Sequence, residues 1–284
     1  MTQRSTIDLT QLRSMTAEDL GAAHALSVEV NWPHRPDDWR LVHEIGEGIV
    51  AADEGGRVMG SAMWWPFGPD LATIGMVIVS PRLQGQGTGR RMMRELFARA
   101  GARTIRLVAT AAGQRLYESE GFRATTAIAQ YQGLASAGAT VRDARVRPAG
   151  EADRPGIAAL DREASGGDRS RMLAALARVG SVEVLEDGGR IRGYSVCRPF
   201  GRGHVIGPLV ARDATEAVAL ASPHMRAHAG TFLRADTPEA EGAFVDFMEA
   251  SGLGNADRVV QMTRGPAPAT GPAQVFTLAN QALG

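Results

Sequence analysis

The chain of 284 residues contains no lysine, a single cysteine and no long apolar run, and each shortage excludes a class of protein. One cysteine, Cys197, permits no intrachain disulfide and provides no cluster of metal ligands, so we expect no bound metal. No apolar run approaches the roughly 20 residues needed to span a bilayer. The amino terminus also lacks the apolar core of a signal peptide. We therefore expect a soluble, cytoplasmic protein.

The charges are balanced, because 31 basic residues, all of them arginine, stand against 31 acidic residues. A chain without net charge gives no electrostatic reason to expect binding to nucleic acid or to a membrane surface. Apolar residues make up 44% of the chain, which is typical of a globular protein. The length allows one or two domains.

The sequence does contain a glycine-rich loop between a predicted strand and a predicted helix. The strand is the apolar run Ile74–Val79, and apolar side chains spaced by 3.6 residues predict a helix over about 89–100. Gly85, Gly87 and Gly89 leave the backbone free to approach a ligand closely. The N–H groups and the dipole at a helix start favour an anion such as pyrophosphate. The segment predicts a site for a phosphorylated cofactor.

Other glycine-rich loops fit less well. A P-loop needs a lysine, which this chain lacks, and a dinucleotide-binding loop needs Gly-x-Gly-x-x-Gly rather than the alternate glycines found here. A simple structural turn is the remaining alternative.

The loop resembles the acyl-CoA signature of the GNAT superfamily of N-acetyltransferases, Gln-x-x-Gly-x-Gly preceded by Val-x-Pro. The matching segments are Val79–Pro81 and Gln84–Gly89. The resemblance implies that loop amides hold the pyrophosphate of acetyl-CoA and that the strand backbone at Val77 and Val79 pairs with its pantetheine arm. The cofactor-binding residues implied are Val77, Ile78, Val79, Gln84, Gly85, Gln86, Gly87, Thr88, Gly89, Arg90 and Thr110.

A second motif, Leu116–Phe122, resembles the Leu-Tyr-x-x-x-Gly-Phe of the same family. A phenol has an unperturbed pKa near 10, so Tyr117 can donate a proton to the departing CoA thiolate. Packing is the alternative role of this tyrosine. Thr110 stands where the family often has an asparagine that contacts the cofactor, and its hydroxyl is the candidate for that contact.

The chain repeats itself. Asp53–Gly68 and Glu186–Gly201 are identical at seven of sixteen aligned positions, and each contains a Gly-Gly hairpin turn. The repeat predicts the same fold twice: a mixed α/β protein of two tandem GNAT-like domains, residues 1–136 and 141–284, each a mostly antiparallel sheet flanked by helices. The second copy has no glycine-rich loop and has Met248 in place of the tyrosine, so we expect it to be degenerate.

The acceptor is expected to bind beside the loop Asn31–Trp39, which follows the first predicted helix, Ala17–Val30. An amine must lose its proton before it attacks a thioester, and His34 is the candidate base because its unperturbed pKa lies near 6.5. Where histone-type relatives have a glutamate, this chain has Thr73, so no base is implied by resemblance. The candidate substrate-binding residues are Trp32, Arg35 and Trp64. Alternatively, the loop tryptophans only close the core.

These observations predict an acetyl-CoA-dependent N-acetyltransferase that acts on a small-molecule amine by direct attack, as a monomer or homodimer. The first half is expected to carry out the chemistry. One alternative is a protein that binds acyl-CoA without turnover, as a sensor or scaffold. Another keeps the enzyme and changes the donor to a longer acyl-CoA.

Overall fold

The computed structural model describes residues 11–284. Within them lie eight α-helices and thirteen strands. From the sequence we also expect a strand near Leu9–Arg13, and the structure has one over Gln11–Ser14, while Leu9 and Thr10 lie outside the described residues. Over the same range, none of the helices has the length and apolar character needed to cross a membrane.

The first repeat contains six strands and four helices. In chain order they are β1 (Gln11–Ser14), a 3₁₀ turn (Ala17–Asp19), α1 (Leu20–Glu29), α2 (Pro36–Ile45), β2 (Glu47–Ala52), β3 (Val58–Phe67), β4 (Leu71–Val79), α3 (Thr88–Ala100), β5 (Thr104–Ala109), α4 (Ala111–Ser119) and β6 (Arg123–Leu134).

The second repeat contains the same elements in the same order, followed by one further strand. They are β7 (Val146–Pro148), a 3₁₀ turn (Glu151–Asp153), α5 (Arg154–Ser165), α6 (Ser170–Val179), β8 (Ser181–Asp187), β9 (Arg190–Phe200), β10 (Gly203–Ala211), α7 (Ala214–Ala227), β11 (Phe232–Thr237), α8 (Ala243–Ala250), β12 (Gly254–Arg264) and the additional β13 (Gln274–Thr277). The prediction of one mixed α/β fold repeated twice is confirmed. The predicted domain boundaries stay a prediction.

The residues cluster into two compact units that differ from the repeats. Among the described residues, the first unit comprises 11–64 together with Met76–Gly101, and the second comprises Trp65–Gly75 and Ala102–Gly284. In the first unit, β1 pairs with β2 and β2 pairs with β3, all antiparallel. The boundary between the units divides β4 after Gly75. In the second unit, the first part of β4 pairs with β5, and the order continues β5-β12-β6-β11-β10-β9-β8-β7, with β13 paired to β10.

The centre of the second unit contains an exchange of strands between the repeats. β12 of the second repeat lies between β5 and β6 of the first and pairs antiparallel with both. In turn, β6 pairs with β11 of the second repeat. Each repeat therefore places its sixth strand next to the fifth strand of the other.

Both repeats begin with the same ion pair at the start of the first helix. Arg13 Nη1 and Nη2 each donate to Asp19 over 2.7 Å, and Asp19 also accepts from the backbone N–H of Thr16. Arg147 binds Asp153 in the same bidentate way, and Asp153 accepts from the N–H of Gly150. A carboxylate that caps N–H groups at a helix start is favoured by the helix dipole. The two repeats therefore share this ion pair as well as their order of elements.

The prediction of a loop over Asn31–Trp39 is wrong in part, because α2 begins inside this segment at Pro36. Pro36 is the first residue of the helix, a position that does not need an N–H. Asp38 accepts from the Arg35 N–H over 2.8 Å, and the helix buries Trp39, Val42 and Ile45 on one face. The predicted first helix is also shorter than expected, because α1 ends at Glu29.

Candidate functional site

The glycine-rich loop leads into α3 without a side-chain cap. α3 begins at Thr88 and has no acidic residue in its first turn. Gly85 and Gly87 have φ values of +78° and +83°, which disfavour any residue with a Cβ. A Cβ at either position would meet no atom within 4 Å. Backbone conformation therefore requires glycine, and the surroundings leave room for a ligand.

Side-chain amides satisfy carbonyl groups within this loop. Gln84 Nε2 donates to the carbonyl of Val79 over 3.1 Å, and Gln86 Nε2 donates to the carbonyl of Arg82 over the same distance. These contacts satisfy the carbonyl groups of Val79 and Arg82 within the chain. A backbone of this shape, at the positive end of a helix dipole, can bind an anion through its N–H groups.

The strand before the loop is irregular at one residue. Met76 has φ +53°, which is rare for a residue other than glycine. Its carbonyl accepts a hydrogen bond from Ser61 Oγ over 2.9 Å. After this irregularity, Ile78 is buried while Val77 and Val79 are half-buried. The predicted cofactor strand thus has one face in the core and one that is partly accessible.

The equivalent helix start in the second repeat is filled by the chain's own carboxylates. Asp213 Oδ1 accepts from the Glu216 N–H over 2.9 Å as the cap of α7. The Glu216 carboxylate is buried and accepts from the Arg212 N–H and from Arg192 Nε, each over 3.1 Å. The anion-binding position at this helix is therefore satisfied internally.

The strand that corresponds to the cofactor strand is also covered in the second repeat. β10 pairs with β11 only through His204 and Val205, and beyond them its residues Leu209–Ala211 pair antiparallel with β13. Gly207 permits this approach, since a Cβ there would lie 1.8 Å from the carbonyl oxygen of Leu278. In the part of the chain that the structure describes, no additional strand of this kind pairs with the equivalent residues of β4.

The second motif lies on α4, where Thr110 is the cap residue and is exposed. Tyr117 lies in the last turn of the same helix. Tyr117 is 7% exposed, and its ring packs tilted against Phe122, with ring centroids 6.0 Å apart. Burial raises the pKa of Tyr117 to about 12. The hydroxyl consequently keeps its proton at neutral pH and can act as a donor.

The predicted acceptor segment forms an aromatic cluster. The His34 ring lies edge-on to Trp32 at 5.7 Å and to Trp39 at 6.5 Å between centroids. Trp39 is fully buried and donates to Ser27 Oγ over 3.2 Å, so this tryptophan closes the core. Trp32 and His34 are half-buried. One of the two loop tryptophans therefore has the accessibility that a binding role requires.

Two further substrate-binding candidates have clear structural roles. Arg35 binds Asp38 through Nη2 over 2.8 Å and through Nε over 3.3 Å at the start of α2. The Asp38 partner raises the pKa of Arg35. Trp64 is 6% exposed on β3. Their contact with a substrate stays a prediction.

A cavity of about 330 Å³ lies in the second unit. Its lining includes Thr73 of β4, Arg106 of β5 and Arg169 at the start of α6. Thr73 and Arg106 are paired across the two parallel strands. One feature of the sequence could have indicated this cavity, because Arg106 is a charged residue in the middle of a mostly apolar strand. Its partner residues come from distant parts of the chain and were not predictable.

Two nucleophile candidates in the second repeat are enclosed by the core. Ser195 Oγ lies 2.9 Å from His224 Nε2 and also donates to the carbonyl of Leu220. Both side chains are buried, and burial lowers the pKa of His224 to about 3. Cys197 is buried as well, which raises its pKa to about 12. None of these groups is exposed or ionised in the way that a nucleophile or base requires.

The structure therefore divides the predicted site residues between the two units. The first unit contains the residues from Val77 to Arg90 that were predicted to bind the cofactor, together with Trp32, His34, Arg35 and Trp64. The second unit contains Thr110, the cap residue of α4, and Tyr117, near the end of the same helix.

Comparison with known proteins finds the same family in both repeats. Models of the acetyltransferase (GNAT) domain match residues 45–124 in the first repeat and 157–277 in the second. Over 280 residues the chain is 26% identical to an uncharacterized N-acetyltransferase, YitH, of Bacillus subtilis (strain 168). That match covers 96% of this chain and 98% of the relative.

Two solved structures have a similar fold. A putative acetyltransferase from Pyrococcus horikoshii matches with a TM-score of 0.81 and 19% identity, over 100% of this chain and 99% of that one. A tandem GNAT protein from the clavulanic acid biosynthesis pathway matches with a TM-score of 0.60 and 18% identity, over 90% of this chain and 100% of that one. These two likenesses show the fold, and the two domain matches identify the chain as a tandem member of the GNAT acetyltransferase family.

Proposed function

We propose that this chain is an acetyl-CoA-dependent N-acetyltransferase whose first repeat binds the cofactor and transfers the acetyl group to a small amine. The observation that supports this most is the contrast between two equivalent helix starts. At α3 the cap is absent and the glycines face open space. At α7 the same position is filled by the carboxylates of Asp213 and Glu216.

The residues of the first repeat fit acetyl-CoA chemically. The N–H groups of Gly85–Gly89 and the charge of Arg90 suit the pyrophosphate, and the strand backbone at Val77 and Val79 suits the pantetheine amides. The Thr110 hydroxyl is a further candidate contact. When bound, acetyl-CoA supplies an acetyl group activated as a thioester.

The proposed chemistry is direct attack by the amine. His34 is the proposed base, since a simple alkyl amine is mostly protonated at neutral pH. Trp32, Arg35 and Trp64 are the proposed substrate contacts. Backbone N–H groups near Val77 polarise the thioester carbonyl, and Tyr117 donates to the departing thiolate. Cys197 is buried with a raised pKa, which argues against a covalent acyl-enzyme at this residue.

The first test is calorimetric titration of the full chain with acetyl-CoA. We expect one site per chain. Gly87→Ala should weaken binding at least about tenfold, because a methyl group at the loop obstructs the approach of the pyrophosphate to the N–H groups. Gly230→Ala is the matched control, since Gly230 has φ +79° and equally open surroundings in the second repeat.

The outcomes separate the alternatives. Two sites per chain would contradict the assignment of binding to the first repeat alone, and absence of binding would contradict the proposed function. Binding without thiol release in the presence of any amine would favour a sensor or scaffold. Faster thiol release from longer acyl-CoA donors would keep the enzyme and change its donor.

A further inference from the structure

A buried serine of β3 holds the backbone of β4 at one residue. Ser61 is fully buried, and its Oγ donates to the carbonyl of Met76 over 2.9 Å. Both residues belong to the first unit. Because this hydrogen bond comes from a side chain, a substitution can remove it without changing the backbone of β3.

Met76 is the residue at which β4 is irregular. Its φ of +53° lies in the left-handed region, which is unfavourable for any residue with a Cβ. Such a conformation persists only where the surrounding structure holds it. Met76 is 4% exposed, so its surroundings are protein. The hydrogen bond from Ser61 is the contact that fixes the Met76 carbonyl in this conformation.

The direction of the Met76 carbonyl determines the direction of the next N–H group. The Met76–Val77 peptide is trans, and in a planar trans peptide the C=O and N–H bonds point in opposite directions. Since the carbonyl of Met76 points to Ser61 on β3, the N–H of Val77 points away from β3.

A second contact between the two strands gives the same direction. A Cβ on Gly60, which precedes Ser61, would lie 3.1 Å from the carbonyl oxygen of Ile78. The carbonyl of Ile78 therefore also faces β3, and the N–H of Val79 points away from it. Val77 and Val79 are half-buried, whereas Ile78 is buried. The residues whose N–H groups point outward are thus also the accessible ones.

The second repeat lacks this arrangement. Ser61 corresponds to Tyr194, whose hydroxyl donates to Asp161. Met76 corresponds to Pro208, whose ring fixes φ near −65° and which has no N–H. The serine and the left-handed residue therefore occur together in the repeat that we propose to bind acetyl-CoA, and neither is present in the other repeat.

We propose that Ser61 is a positioning residue for the thioester of the cofactor. Its hydroxyl holds the Met76 peptide in one orientation, so that the Val77 N–H points to the carbonyl oxygen of a bound acetyl group. This role rests on the proposed function, in which N–H groups near Val77 polarise that carbonyl. A donor fixed in advance is effective because it does not have to reorient when charge develops on the oxygen.

The first test measures thiol release from acetyl-CoA by Ser61→Ala with the best amine of a panel. We expect kcat to fall about 10- to 100-fold, somewhat less than for complete loss of an oxyanion donor, because the N–H remains and only its orientation is released. The KM for acetyl-CoA should stay nearly unchanged, since the glycine-rich loop is untouched. An unchanged kcat would overturn the proposal.

Ser222→Ala is the matched control. Ser222 is also fully buried, and its Oγ donates to the carbonyl of Val218 over 2.8 Å. It lies on α7 of the second repeat, outside the proposed site. Its substitution removes the same kind of hydrogen bond, so it should affect stability and leave kcat unchanged. A fall in kcat as large as that of Ser61→Ala would show a general effect of lost stability and would overturn the proposal.

Substitution of Met76 separates positioning from packing. Met76→Gly and Met76→Ala remove nearly the same side chain from the core, but only glycine adopts φ +53° without cost. The loss of kcat caused by Ser61→Ala should therefore shrink when it is combined with Met76→Gly and persist when it is combined with Met76→Ala. Equal losses in the two backgrounds would overturn the proposal.

Infrared spectra of bound acetyl-CoA, isotope-labelled at the thioester carbonyl, test the contact without turnover. A hydrogen bond from Val77 should lower the carbonyl stretching frequency in wild type and in Ser222→Ala, and the lowering should be smaller in Ser61→Ala. No lowering in wild type, or an equal one in all three proteins, would overturn the role of Ser61. The expected pattern without thiol release from any amine would contradict the proposed transfer reaction and retain this role. Absence of acetyl-CoA binding would contradict both.

Discussion

The two repeats of this chain have the same elements but differ at the helix start where a cofactor would bind. In the first repeat, α3 starts without a cap after two glycines that face open space. In the second, carboxylates fill the helix start and β13 pairs with the strand beside it. The second repeat has therefore not simply lost a loop. The chain itself provides groups that satisfy the donors which a ligand would otherwise use.

The comparison also shows which features the two repeats share. The Arg–Asp pairs at Arg13 and Arg147 have almost the same geometry. Both cofactor-type strands are irregular at equivalent residues, at Met76 in β4 and between Ile206 and Leu209 in β10. The scaffold was retained in both copies, while the ligand-binding groups differ.

The largest expected effect is a loss of catalytic rate on substitution of Tyr117. Met248 occupies the corresponding position in the second repeat and provides the control. Tyr117→Phe should lower kcat by about 10²–10⁴-fold, because it removes the proton donor, and acetyl-CoA affinity should stay nearly unchanged. Met248→Leu should leave kcat unchanged. Since burial raises the pKa of Tyr117 to about 12, the hydroxyl stays protonated and no loss of rate near pH 10 should depend on this residue.

Stopped-flow measurement of thiol release over a pH series would check both statements. Equal rates in wild type and Tyr117→Phe would remove this residue from the mechanism. A decline near pH 10 that disappears in the variant would contradict the effect of burial.

The second effect concerns the strand that covers β10. Phe276 of β13 is 2% exposed and packs against Phe244, with ring centroids 5.4 Å apart. Phe276→Ala should lower the free energy of unfolding by about 3–5 kcal/mol, as is usual for a large aromatic side chain removed from a core. Urea denaturation followed by fluorescence measures this change. A cost below about 1 kcal/mol would show that β13 is only loosely attached and would weaken the contrast between the repeats.

The smallest expected effect is on stability, at the Arg–Asp pair that begins the first helix of each repeat. Asp19→Asn and Asp153→Asn should each cost about 1–2 kcal/mol of stability, since each removes a helix-start carboxylate. Hydrogen bonds from the arginine partners lower the pKa of both acids to about 2, below the usual 3.9 of the unfolded chain. Their contribution is therefore complete above about pH 4 and is lost as the pH falls towards 2.

Denaturation of wild type and both variants at several pH values tests this symmetry. The difference in free energy of unfolding between wild type and each variant should shrink as the pH falls from about 4 towards 2, and it should do so equally for the two variants. If only one variant were destabilised, the two copies would differ in their scaffold as well as in their binding groups.

The sequence predicted those parts of the fold whose signals are local. The strand, glycine loop and α3 follow from a few consecutive residues, and so do the two Gly-Gly hairpins. α2 was missed although Pro36 and Asp38 are ordinary signals of a helix start, because the aromatic residues around them suggested a binding loop. The exchange of β6 and β12 and the position of β13 depend on pairing between distant segments, which periodicity does not encode.

The candidate site shows the same limit. Thr110 and Tyr117 could be placed on one helix from their motif. The cavity around Arg106 could not, because its lining comes from β4, β5, β12 and α6, and only the folded chain brings these segments together. A lone arginine inside an apolar strand was the one signal of it in the sequence.

The exchange of β6 and β12 also constrains how such a gene can change. A product ending after the first repeat would lack the strand that separates β5 from β6, and both would be left with unpaired edges open to aggregation. Substitutions at the helix start of the second repeat leave this strand pairing in place, whereas removal of the repeat takes β12 away from β5 and β6. The two repeats therefore depend on each other for a complete sheet, and we expect neither to be stable as a separate product.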